Sequence, residues 1–96
     1  MDREQVIQLL ALHKPELSRL FGVTALALFG SAARNTACAT SDIDLLVTFE
    51  GAATTERYFG LQFYLEDLLQ RPIDLVTDKA LRPELRPGIE REAIHV

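Results

Sequence analysis

The sequence holds a single cysteine, Cys38. No internal disulfide can close, and no cysteine cluster can bind zinc. A reducing compartment is the expectation, with the cytoplasm as its default. No apolar run approaches the roughly 18 residues that a membrane-spanning helix needs. The opening stretch MDREQVIQLLALHKPE carries charge on both flanks of its short apolar segment and has no small-residue cleavage site, which argues against a signal peptide. Basic residues are the minority: 10 Lys and Arg against 14 Asp and Glu give a net charge of −4. That balance repels a phosphate backbone, so direct nucleic-acid binding is not expected. Internal repeats, low-complexity segments and linkers are also missing. What remains is ordinary globular composition, 48% hydrophobic and 25% charged, in 96 residues. This is enough for one modest core and too little for two, so residues 1–96 read as a single domain.

Hydrophobic periodicity divides the chain into alternating elements. Val6, Ile7, Leu9, Leu10 and Leu12 recur at helical intervals behind Asp2, a suitable N-cap. Pro15 lacks a backbone donor and disfavours helical geometry at Lys14, so the spacing predicts a break there, a further turn or two to Phe21, and a stop at Gly22. VTALALF (23–29) and IDLLVTF (43–49) are short, apolar and bounded by turn residues, the pattern of buried strands. Tyr58, Leu61, Leu65 and Leu68 predict the longest helix between Thr55 and Leu69, capped by Thr54 or Thr55, with Glu66 and Asp67 on its wet face. PIDLVT (72–77) is a third strand whose proline places it at a strand start or an edge. A last helix is expected from about Pro87 to Ala93. Strand, helix, strand, helix, strand implies an α/β or α+β fold in which helices cover a small sheet.

The chemistry concentrates between Gly30 and Asp74. Residues i and i+2 of a strand point to the same side, roughly 6 to 7 Å apart, so Asp42 and Asp44 face one place. Two bare carboxylates that close repel each other and resist burial. A divalent cation removes that cost, and Mg²⁺ prefers hard oxygen ligands alongside substrate phosphates. Asp74, inside the apolar PIDLV, joins them if its strand lies beside the second one. Three acids of that kind can hold two metal ions about 4 Å apart, and one of them can accept a proton. Gly30 and Ser31 stand where the first strand turns into a helix start, and there free N–H groups and the absence of a Cβ suit a phosphate. Arg34, one turn on, either adds a fixed positive charge or braces the acidic strand. Read blandly, the acids are solvated strand ends, Gly30-Ser31 is an ordinary turn and Arg34 is a surface charge.

With LFGSAAR (28–34) and SDIDLLV (41–47) followed by the later Asp74, the chain resembles the minimal nucleotidyltransferases of the polymerase-beta-like superfamily. The likeness extends through RYFGLQFYLEDLLQRPIDLVT (57–77) and RPELRPGIEREAI (82–94), and so covers nearly the whole sequence. It implies a mixed sheet flanked by helices, two Mg²⁺ ions, and transfer of AMP from ATP with pyrophosphate leaving. Asp42, Asp44 and Asp74 would be the metal ligands and catalytic acids, with Asp74 also the candidate base. Gly30, Ser31 and Arg34 would serve the nucleotide. Such proteins are commonly antitoxins paired with a HEPN ribonuclease toxin, whose tyrosine is the implied acceptor. Asn35 departs from the family's usual glycine after the arginine. Two other functions fit the same chain: an antitoxin that neutralises by binding alone, and a transferase for a small-molecule acceptor. Tyr58, Phe59, Phe63 and Tyr64 circle more than one face of their helix, as core packing or a partner surface would require.

Overall fold

The computed structural model describes residues 2–33 and 42–96, apart from the side chains of Ser31 and Ala32. The chain opens with α1 (Arg3–Phe21), where a reciprocal capping box ties Asp2 to Gln5. The Asp2 carboxylate accepts from the Gln5 N–H at 2.9 Å, and the Gln5 side chain accepts from the Asp2 N–H at 2.9 Å. Two donors that a helix start leaves orphaned are thereby satisfied. At the other end Gly22 adopts left-handed geometry (φ 73°) and stops the helix.

The predicted break at Pro15 does not occur: α1 runs through it without interruption. Proline inside a helix costs about 3 kcal/mol, so the turns beyond it must return more. Leu17 is fully buried, worth about 1.5–3 kcal/mol. Phe21 adds an edge-to-face contact with Tyr64 at 5.9 Å. Tertiary packing overrides the local preference.

The strands are β1 (Val23–Phe29), β2 (Ile43–Phe49), β3 (Ile73–Thr77) and β4 (Ile94–His95), in the order β3-β2-β1-β4. β1 pairs antiparallel with β2 and β4, while β2 and β3 are parallel. Parallel neighbours need a crossover, which α3 (Thr55–Leu69) supplies. The Thr54 side chain caps α3 by accepting from the Arg57 N–H. A mixed sheet with helices is thus the architecture, and β3 lies at its edge. The short α2 (Gly30–Ala33) follows β1, and α4 (Arg86–Glu92) precedes β4. A 3-10 turn over Asp78–Ala80 and the two-residue β4 were not anticipated from sequence. Among the described residues no helix is long and apolar enough to cross a membrane.

Strand alternation separates two cores. Ile43, Leu45, Val47 and Phe49 point with Leu26, Leu28, Ile73 and Leu75 into the main one, against Val6, Leu10 and Leu17 of α1 and Leu61, Leu65 and Leu69 of α3. The opposite face carries a smaller cluster, in which Ala27, Leu46 and Leu81 meet Phe29, Val76, Ile89 and Ala93. Arg86 braces this side. It donates to the Asp78 carboxylate (2.9 Å) and carbonyl (3.0 Å) and to Glu90 (3.3 Å), and these bonds raise its pKa above the usual arginine value.

Candidate active site

The second face of the sheet carries the acids. Asp44 follows Ile43 and precedes Leu45, both turned into the main core, so its side chain emerges on the other side. It stands directly across from Asp74 in the parallel β2–β3 register and from Phe29 in the antiparallel β1–β2 register. Asp42 is two residues before Asp44, at the point where the Ile43 N–H donates to the Pro72 carbonyl (2.9 Å) and starts the ladder. The end of β1 and the starts of β2 and β3 therefore meet at one end of one face. Asp42 and Asp74 are exposed, and Asp44 is half-buried.

Gly30 brings the turn after β1 against this acidic end. Its φ is +70°, and a Cβ placed on it would lie 2.2 Å from Asp44 Oδ2. The Asp44 carboxylate therefore occupies the space that any other side chain would fill. Ala33 buries its methyl in the main core, and Arg3 Nη1 donates to the Ala33 carbonyl at 3.0 Å. These contacts fix α2 from behind. The Ser31 side chain and Arg34 lie outside the described residues, as do Asn35 and Cys38.

The backbone gathers the three acids, but their side chains are not gathered into a cage. Among the described residues, no three His, Cys, Asp or Glu side chains are close enough together to hold a metal ion. Mutual repulsion of neighbouring carboxylates favours such a splayed arrangement. Mg²⁺ needs only one or two carboxylates when phosphates complete its shell. The all-oxygen donor set, with Asp44 drawn against Gly30, fits an ion arriving with a nucleotide.

Sequence reasoning overlooked how β3 is held. Along α3, Tyr58, Gln62 and Glu66 recur every fourth residue and reach the outer edge of the strand. Tyr58 donates to the Leu75 carbonyl (2.5 Å) and Gln62 to the Ile73 carbonyl (3.2 Å), while Glu66 Oε2 accepts from the Ile73 N–H (3.4 Å). Asp74 sits between the two clamped residues. Glu66 is consequently half-buried rather than on the wet face, whereas Asp67 is exposed as expected. The i, i+4, i+8 spacing was visible in the sequence, but without the strand's position nothing gave it a target.

The model of the family described as "Nucleotidyltransferase domain" matches residues 10–96. The protein adenylyltransferase MntA of Thermococcus cleftensis is 37% identical over 93 residues, spanning 97% of this chain and 94% of that protein. A solved structure described as a candidate minimal nucleotidyltransferase superposes with a TM-score of 0.78 at 37% identity, covering 98% of this chain and 95% of the other. A chain in a complex of the tri-AMPylated Shewanella oneidensis HEPN toxin with MNT antitoxin is a more distant likeness: TM-score 0.60 and 20% identity over 97% of this chain and 66% of that one. At that distance the likeness shows the fold alone.

Proposed function

This chain belongs to the nucleotidyltransferase domain family, and from that premise we propose that it is an antitoxin that transfers AMP from ATP to a tyrosine hydroxyl of a HEPN ribonuclease toxin. The observation that carries the reading is the meeting of Asp44 with Asp74 across the β2–β3 register and with Gly30 across the turn. The names of the relatives support the substrate class: one is a protein adenylyltransferase, and another sits in a complex with an AMPylated toxin. Asp42, Asp44 and Asp74 would hold two Mg²⁺ ions, which when bound offset the charge on the phosphate oxygens and favour an ionised acceptor. Gly30 and the N–H groups that follow it would receive the triphosphate, with Ser31 and Arg34 adding a donor and a charge. Asp74 would take the proton as the hydroxyl oxygen bonds to the α-phosphorus. The bond from that phosphorus to the oxygen bridging to the β-phosphate breaks, and pyrophosphate leaves.

The test combines the chain, α-labelled ATP, Mg²⁺ and a purified HEPN ribonuclease from the same genome. Label should appear on a toxin tyrosine by mass spectrometry as ribonuclease activity falls. The Asp42→Asn/Asp44→Asn variant should still bind the toxin but leave it unlabelled and active. An unlabelled toxin under these conditions would sink the transfer reading. Neutralisation by the double variant would favour a purely binding antitoxin.

A further inference from the structure

Asp44 and Asp74 are held by unequal means. β2 lies between β1 and β3, so the backbone of Asp44 is fixed from both sides, whereas β3 has a sheet neighbour on one side only. A strand paired along a single edge opens more readily than one paired along two. Asp74 is also exposed, so the placement of its carboxylate depends on the backbone beneath it.

The missing side is supplied by α3. Successive residues of a strand turn their backbone groups to opposite edges. With the Pro72 carbonyl bonded to β2 through the Ile43 N–H, the groups of Ile73 and Leu75 face outward, and these are the ones that Tyr58, Gln62 and Glu66 reach. The dimensions match: four helical residues advance about 6 Å and two strand residues about 6.6 Å, so Gln62 meets Ile73 as Tyr58 meets Leu75. Glu66 takes the other Ile73 group, its N–H. The helix that makes these bonds is itself firmly seated. Leu61, Leu65 and Leu69 lie in the main core, and a Cβ on Gly60 would stand 2.8 Å from Phe21 Cε1, so α3 rests directly against α1.

Shielding an edge from other chains is one use of such bonds, but it does not explain where they fall. Two act on the residue before Asp74 and one on the residue after it, bracketing the only charged residue of β3. One of the three comes from Glu66, a half-buried carboxylate and so a costly group to place there. We propose that Gln62 and Glu66 are positioning residues that aim the Asp74 carboxylate at the reacting hydroxyl, an inference that rests on the function proposed above. Both act through the Ile73 peptide groups rather than on the substrate. A misplacement of about 1 Å at a reacting group can cost about 10²-fold in rate.

Transfer kinetics with the purified HEPN ribonuclease, read beside amide exchange by NMR, test this. Gln62→Met and Glu66→Met remove a donor and an acceptor at nearly unchanged length, and each should keep the circular dichroism of the parent. The Ile73 amide should exchange about tenfold faster in Glu66→Met, while the buried Leu10 of α1 exchanges as in the parent. In both variants kcat at saturating ATP and toxin should fall about tenfold or more. Glu66→Gln, which keeps an acceptor oxygen, should recover most of that loss. In an Asp74→Asn background the Met substitutions should cost nothing further, because the group they aim is gone. If one Met variant fails to fold, the other carries the same cycle alone. A kcat that stays at the parent value in the Met variants overturns the positioning role and leaves the proposed function standing. An equal loss in the Asp74→Asn background overturns it too, since the bonds would then act on the fold as a whole. A parent chain that modifies no toxin overturns both.

Discussion

The Tyr58 hydroxyl donates to the Leu75 carbonyl at 2.5 Å and closes the free edge of β3 one residue beyond Asp74. An open strand edge invites pairing with other chains, and here the crossover helix blocks it with its own side chains. Tyr58→Phe keeps the ring and leaves a partly buried carbonyl without its donor. Unfolding in urea should show a loss of about 1–2 kcal/mol with an unchanged slope.

Asp74 and Asp44 are cross-strand partners of like charge. Asp74→Asn abolishes that pairwise repulsion, so thermal unfolding should show a protein at least as stable as the parent, by up to about 1 kcal/mol. Transfer to the toxin should nevertheless fall by about 10²–10⁴-fold. Stability gained while activity is lost separates a functional acid from a structural one, and a fall in both would count against the role proposed for Asp74.

Gly30→Ala meets two obstacles at once. The backbone stands at φ +70°, and the new methyl would overlap the Asp44 carboxylate. Strain of about 1–3 kcal/mol is expected in denaturation. A displaced Asp44 should reduce initial transfer rates on the order of 10²-fold.

Pro15→Ala tests why α1 is continuous. Alanine restores the N–H that proline lacks and leaves Leu17 and Phe21 in place. The variant should gain about 1–2 kcal/mol in chemical denaturation. A destabilised variant would mean that the ring itself contributes to packing.

Arg86 gives a prediction about pH. Its hydrogen bonds to Asp78 and then Glu90 raise its pKa above the usual arginine value. A raised folded-state pKa stabilises fully below the unfolded value, and that contribution fades only as pH climbs through the folded one. Titration of Arg86 therefore leaves stability unchanged across neutral pH. Arg86→Met should lower the melting temperature by the same amount at pH 6 and pH 9 in calorimetry.

Local signals in the sequence were enough to place β1, β2, the Asp2 cap and the Gly22 stop, because alternation, capping chemistry and left-handed geometry are encoded within a few residues. The acids were legible for the same reason: charge inside IDLLVTF and PIDLVT needs an explanation wherever the strands go. Continuity through Pro15 was not legible, since it depends on Leu17 and Phe21 finding distant partners. β4 was not either. Its two residues carry almost no periodicity, and their strand character comes from pairing with Ala27 and Leu28. The role of Glu66 was hidden likewise, because polarity predicts solvent until a backbone N–H without a partner appears beside it.

The pairing of β4 also bears on how the protein is made. Among the described residues β1 receives its outer neighbour only from Ile94 and His95, and the Val96 N–H bonds the Leu26 carbonyl. During synthesis one side of β1 therefore stays bare until residues 94–96 have left the ribosome. A nascent chain without them has an adhesive flank, and this contact, so remote in sequence, belongs to a late and slow step of folding.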